Sequence, residues 1–138
     1  MARITIVGLG LIGGSLGLAL RRGQVEHELV GYDADAQAAR AAQRRGAVDR
    51  AVGDLGAAID GARLVVLATP VLAVRELLAA LGPLLAPGCV VTDTASTKTA
   101  VLRWAAELLP DVAFVGGHPM AGKETSGVAA AEETLFDG

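Results

Sequence analysis

Residues 4–15 read Ile4-Thr5-Ile6-Val7-Gly8-Leu9-Gly10-Leu11-Ile12-Gly13-Gly14-Ser15, and their order decides the fold. Ile4 to Val7 is a short apolar run of strand type that stops at Gly8, and a helical pattern follows from Leu11 to Arg22. Gly8, Gly10 and Gly13 form a GxGxxG between the two. Alone, that spacing is a weak signal. Between a strand and a helix it has a mechanism: Gly8 allows the tight turn, Gly10 lets backbone amides approach a pyrophosphate, and Gly13 removes a side chain where helix meets strand. The first amides of the helix, near Leu11 and Ile12, then offer free donors and the positive dipole end to phosphates.

Working outward, Glu28 to Tyr32 is a second strand, and Asp33 follows it, twenty residues after Gly13. A carboxylate at that place accepts hydrogen bonds from the 2′- and 3′-hydroxyls of a ribose and repels the extra phosphate of NADP, so the expected cofactor is NAD. The bland alternative is a glycine-rich turn with a helix-capping Asp. No arginine follows Asp33 immediately; Arg40 lies two turns into the next helix.

Further apolar runs alternate with helical patterns along the rest of the chain. A helix runs from about Asp35 to Arg45 with Gly46 as a left-handed cap. Leu64 to Ala68 is a strand, followed by Thr69-Pro70 and a helix through about Leu78. Cys89 to Thr92 is a strand, Thr97 to Leu109 a helix ended by Pro110, and Val112 to Val115 another strand. The stretch from Ala47 to Ala62 leaves room for a short strand near Ala51-Val52 and a short helix. The first helix is expected to turn Leu11, Leu18 and Ala19 inward, and His27 reads as a solvated loop residue. This alternation predicts one α/β domain over residues 1–138, a Rossmann-type doubly wound and mostly parallel sheet with helices on both faces. Strand ends then converge on one edge, bringing Gly8, Asp33, Thr69, Asp93 to Ser96 and His118 together.

Composition narrows the class. The chain is 52% hydrophobic with four aromatic residues, Tyr32, Trp104, Phe114 and Phe136, so the core must be aliphatic. A formal charge of −3 and the absence of a Lys/Arg-rich stripe argue against a nucleic-acid partner. The apolar amino terminus is broken by glycines and lacks a cleavage site, and no apolar run is long enough to span a bilayer, so a cytoplasmic chain without a membrane partner is expected. One cysteine, Cys89, leaves no internal disulfide and no cysteine-based zinc site, and no metal is expected.

Three residues beyond strand ends could do chemistry. His118 stands in Gly-Gly-His-Pro-Met-Ala-Gly, and a neutral imidazole can accept the proton that oxidation of an alcohol releases. Ser96 follows Asp93-Thr94-Ala95; it is either an N-cap or a hydroxyl that binds substrate beside the nicotinamide. Glu124 lies in a polar segment that could cover substrate. Thr69-Pro70 is either a loop lying along the cofactor or an ordinary strand-to-helix connection.

Taken together, the blocks Val7-Gly8-Leu9-Gly10-Leu11-Ile12-Gly13-Gly14-Ser15, Leu67-Ala68-Thr69-Pro70, Asp93-Thr94-Ala95-Ser96-Thr97-Lys98 and Gly117-His118-Pro119-Met120-Ala121-Gly122-Lys123-Glu124-Thr125-Ser126-Gly127 resemble the amino-terminal NAD-binding domain of prephenate and arogenate dehydrogenases of tyrosine biosynthesis. The first block is shared with many dehydrogenases; the serine and histidine blocks are more specific. The resemblance implies NAD-dependent oxidative decarboxylation of prephenate to 4-hydroxyphenylpyruvate. In it His118 takes the ring-hydroxyl proton, Ser96 holds that hydroxyl and orients the histidine, and Glu124 is a pocket acid. It also implies a helical second domain, absent from these residues, that makes a homodimer and supplies arginine to the substrate carboxylates; here only Lys98 and Lys123 are cationic near the expected site. The domain is accordingly expected to stop before its last strand and by itself to bind NAD at most. Two alternatives keep the same turn: an arogenate or other NAD-dependent dehydrogenase, and a non-catalytic NAD-sensing module, which has no need of His118 beside Ser96.

Overall fold

The first strand, β1 (Ala2–Val7), is buried on both faces: Ile4, Thr5, Ile6 and Val7 are each at most 7% exposed. Such a strand must lie inside a sheet with both sides covered, and it does. The computed structural model describes residues 2–22, 27–94, 98–110 and 112–115. After β1 come α1 (Leu11–Arg22), β2 (His27–Tyr32), α2 (Ala36–Arg45), β3 (Arg50–Val52), α3 (Leu55–Ile59), β4 (Ala62–Leu67), α4 (Val71–Leu81), β5 (Val90–Asp93), α5 (Lys98–Leu108) and β6 (Ala113–Val115). The strands form one parallel sheet in the order β3-β2-β1-β4-β5-β6.

Alternation along the strands assigns each side chain to a face. Ile4 and Ile6 of β1 join Leu29, Ala39, Ala42 and Val48 in one apolar layer beneath α1 and α2. Val7, with Val65 and Leu67 of β4, joins Val74, Leu78 and Val101 in the layer beneath α4 and α5. Both layers are aliphatic, and burying each such side chain contributes roughly 1.5–3 kcal/mol. Thr5 is the buried polar residue of β1; its hydroxyl donates to the Ala58 carbonyl at 2.5 Å and fastens α3 to the sheet. Asp49 fixes the other flank. Its carboxylate accepts the Leu29 amide at 2.7 Å and pairs with Arg21 at the end of α1, and the Leu29 bond holds its pKa below the usual carboxylate range. The stabilisation from that charge is present above the ordinary Asp pKa and is lost as pH falls through the lowered value.

The expected short strand and helix between Ala47 and Ala62 are β3 and α3, and Gly46 caps α2 at φ 80°. Two details differ from the sequence reading. His27 opens β2, paired with Ala2 and half-buried, so it is no loop residue. In α1 the residues pressed inward are Gly13, Gly14, Ser15 and Gly17, while Leu11, Leu18 and Ala19 are only partly buried. The cause is a close backbone approach. A Cβ on Gly17 would stand 2.1 Å from the Ala47 carbonyl oxygen, and one on Gly13 would stand 1.9 Å from that of Gly8.

Gly17→Ala therefore sets two effects against each other. Helix propensity favours alanine by about 1 kcal/mol, whereas forcing a methyl into backbone with nowhere to retreat costs about 1–3 kcal/mol or more. Packing wins: urea unfolding of the variant should show a lower midpoint than the parent chain, and a raised midpoint would contradict this packing of α1.

Candidate functional site

Parallel pairing sets the strand ends level. Val7 pairs with Tyr32 on one side and Leu67 on the other, and Leu67 pairs with Asp93. Beyond β1 the chain order reverses, with β2 and β3 on one side and β4 to β6 on the other, so a crevice opens where the connections part. The connections are stitched to neighbouring strands: Gly8 N–H donates to the Tyr32 carbonyl at 2.8 Å, Ala68 N–H to that of Val7 at 2.7 Å, and Thr94 N–H to that of Leu67 at 3.0 Å. The crevice is a cleft of about 540 Å³ whose lining includes Gly8, Gly10, Asp33, Thr69, Pro70 and Glu76. That volume lies within the range of small-molecule sites.

Each glycine of the turn has its own reason. Gly8 takes φ 99°, and a Cβ there would stand 2.8 Å from the Ala68 carbonyl and the Thr69 methyl. Gly13 lets α1 rest on the turn. At Gly10 a Cβ would meet no protein atom within 4 Å, so that space is left open to the cleft. The first α1 hydrogen bond runs from Gly14 N–H to the Gly10 carbonyl at 2.9 Å. The amides of Leu11 and Ile12 come before it and have no partner within the helix.

Asp33 does more than its position predicts. One carboxylate oxygen accepts the Leu9 amide at 2.8 Å, and the other accepts the Asp35 amide at 2.8 Å. The first bond ties the glycine turn to the end of β2; the second is an Asx turn that leads into α2. Each oxygen keeps a further lone pair, so the carboxylate can still receive two ribose hydroxyls. Thr69 adds a second sign of a ligand: its hydroxyl is buried beside the cleft and has no hydrogen-bond partner. Such an orphan costs about 1–3 kcal/mol until something satisfies it. Open space at Gly10, unpaired amides, a carboxylate with spare acceptor capacity and an orphan hydroxyl together suit the phosphates and ribose of a dinucleotide.

The far half of the cleft carries no sequence motif. Tyr32 and Ala34 line one side, and Ala73, Glu76, Leu77 and Ala80 of α4 line the other. The α4 residues recur at i, i+3, i+4 and i+7, so they share one face of the helix, partly buried at Ala73 and Leu77 and exposed at Glu76 and Ala80. At the opposite end of the sheet a cavity of about 450 Å³ beside Leu85 and Cys89 has no charged lining, and burial pushes the Cys89 thiol pKa up, away from reactivity. Ser96, His118 and Glu124 lie outside the described residues. The nearest described elements end on the same edge of the sheet: β5 stops at the buried Asp93, and β6 stops at Val115, three residues before His118.

Comparison with known proteins was consistent with this geometry. Residues 16–138 match the family model described as prephenate dehydrogenase, nucleotide-binding domain, a match that begins beyond the glycine turn. A prephenate dehydrogenase of Lactococcus lactis is 39% identical over 140 residues, covering 99% of this chain and 39% of that protein. The crystal structure of Aquifex aeolicus prephenate dehydrogenase in complex with hydroxyphenyl propionate and NAD+ superposes with a TM-score of 0.93 at 33% identity, covering all of this chain and 48% of that one. Synechocystis arogenate dehydrogenase superposes at 0.88 with 41% identity, covering 97% of this chain and 46% of that one. The chain thus spans less than half the length of these relatives. Among the described residues no helix is long and apolar enough to cross a membrane.

The glycines can be separated by experiment. Gly10→Ala should leave the melting temperature unchanged and weaken dinucleotide binding by tenfold or more, about 1.4 kcal/mol. Gly13→Ala should lower the melting temperature itself. Loss of fold in the first variant, or full binding by it, would contradict this division of roles.

Proposed function

The chain belongs to the prephenate dehydrogenase family, as its nucleotide-binding domain, and from that premise we propose that it holds NAD for the oxidative decarboxylation of prephenate to 4-hydroxyphenylpyruvate. The observation that carries the reading is the cleft at the strand reversal, with the open Gly10 turn at its floor and the Asp33 carboxylate at its side. When bound, NAD supplies the hydride acceptor. The protein's own residues bind and orient: amides of the turn meet the pyrophosphate, Asp33 meets the ribose, and its charge disfavours the additional phosphate of NADP.

The chemical step falls to His118 and Ser96. The His118 imidazole accepts the proton of the ring hydroxyl, and Ser96 hydrogen-bonds the same oxygen so that the leaving hydride points at the cofactor. Aromatisation of the ring drives the loss of carbon dioxide, so one base and correct placement suffice. Glu124 is assigned to the substrate side of the pocket. The similarity to an arogenate dehydrogenase supports a second reading, in which the substrate carries an amine in place of the side-chain ketone.

The test uses the complete protein that contains this domain. His118→Asn should lower kcat by about 10²- to 10⁴-fold, the usual contribution of a positioned base, with NAD affinity unchanged in a fluorescence titration. Unaltered turnover would remove His118 from the chemistry. No turnover of prephenate or arogenate by the parent enzyme, with intact NAD binding, would leave the sensing module as the better account.

A further inference from the structure

We propose that Glu76 reads the base of the bound dinucleotide, accepting a hydrogen bond from the exocyclic amino group of adenine and so selecting adenine over hypoxanthine. The inference rests on the nucleotide reading above and extends it to a residue that no motif marks. With the pyrophosphate on the turn and the ribose on Asp33, the base continues from the ribose into the unclaimed far half of the cleft. That half is lined by Tyr32 and Ala34 at the end of β2 and by Ala73, Leu77 and Ala80 of α4. Its walls are small or apolar, which suits the two flat faces of a purine. Glu76 is the one charged residue that α4 contributes to this lining.

Positions three and four residues away from Glu76 on α4 are Leu72, Ala73, Ala79 and Ala80, so no basic neighbour on the helix pairs with it. Among the described residues it makes no hydrogen bond or ion pair, and it is exposed, so it is free to meet a ligand. An ionised carboxylate can only accept. It matches the amino group of adenine and opposes the carbonyl oxygen that hypoxanthine carries at the same place. An exposed acceptor that loses this donor falls back on water, so the expected discrimination is modest.

Binding of NAD and of nicotinamide hypoxanthine dinucleotide to the complete protein, measured by calorimetric titration, tests this without relying on turnover. The parent protein should prefer NAD by about tenfold, as for one hydrogen bond to a charged acceptor at a partly exposed site. Glu76→Gln, whose amide can both donate and accept, should bring the two dissociation constants close together with the melting temperature unchanged. Arg75→Gln, an exposed neighbour outside the cleft lining, should leave the preference intact. Equal binding by the parent protein, or a preference that survives Glu76→Gln, would overturn the role of Glu76. Failure of the parent protein to bind either dinucleotide would instead overturn the nucleotide reading on which it stands.

Discussion

The backbone of α1 lies so close to the turn at Gly8 and to Ala47 that no side chain can stand between them, and the rest of the structure depends on that approach. It seats the first amides of α1 directly after the Gly8–Gly10 turn that lines the cleft. It also draws the connection before β3 against the helix, where Asp49 and Arg21 lock the same junction from the outside. Where most helices bury a stripe of large apolar groups, this one buries glycines, and contact is made by backbone itself.

Asp33 carries the same logic into the site. By accepting the Leu9 amide it holds the turn in its binding shape before any ligand arrives, which lowers the ordering cost of binding. The residue that recognises the ribose in the proposed function is thus also a structural clasp. Thr69 reaches the turn from the other side, its methyl close to Gly8 and its hydroxyl unsatisfied. Two strand connections therefore grip one turn, and the cleft is their common product.

Much of this was legible in the sequence because the signals were local. The GxGxxG after an apolar run, the acid after the second strand and the cap at Gly46 each state a backbone requirement that few other residues meet. What escaped notice was set by tertiary contact. Gly17 adds nothing to a hydrophobic pattern, so counting apolar positions pointed to Leu11, Leu18 and Ala19 in place of the true contact face. Ala73, Leu77 and Ala80 carry no motif; only the assembled sheet shows them lining one cleft with Asp33 and Glu76. His27 read as loop because its polar neighbours hid the start of β2. Ser96, His118 and Glu124 rest on motif resemblance, since their side chains lie outside the described residues.

The most direct measurement is a crystal structure of the complete protein with NAD bound. The account predicts the pyrophosphate on the amides following Gly10, the adenosine ribose hydroxyls within hydrogen-bond distance of Asp33, and the nicotinamide directed toward the His118 imidazole. A dinucleotide lying elsewhere, or a ribose that leaves Asp33 engaged only with Leu9 and Asp35, would contradict it.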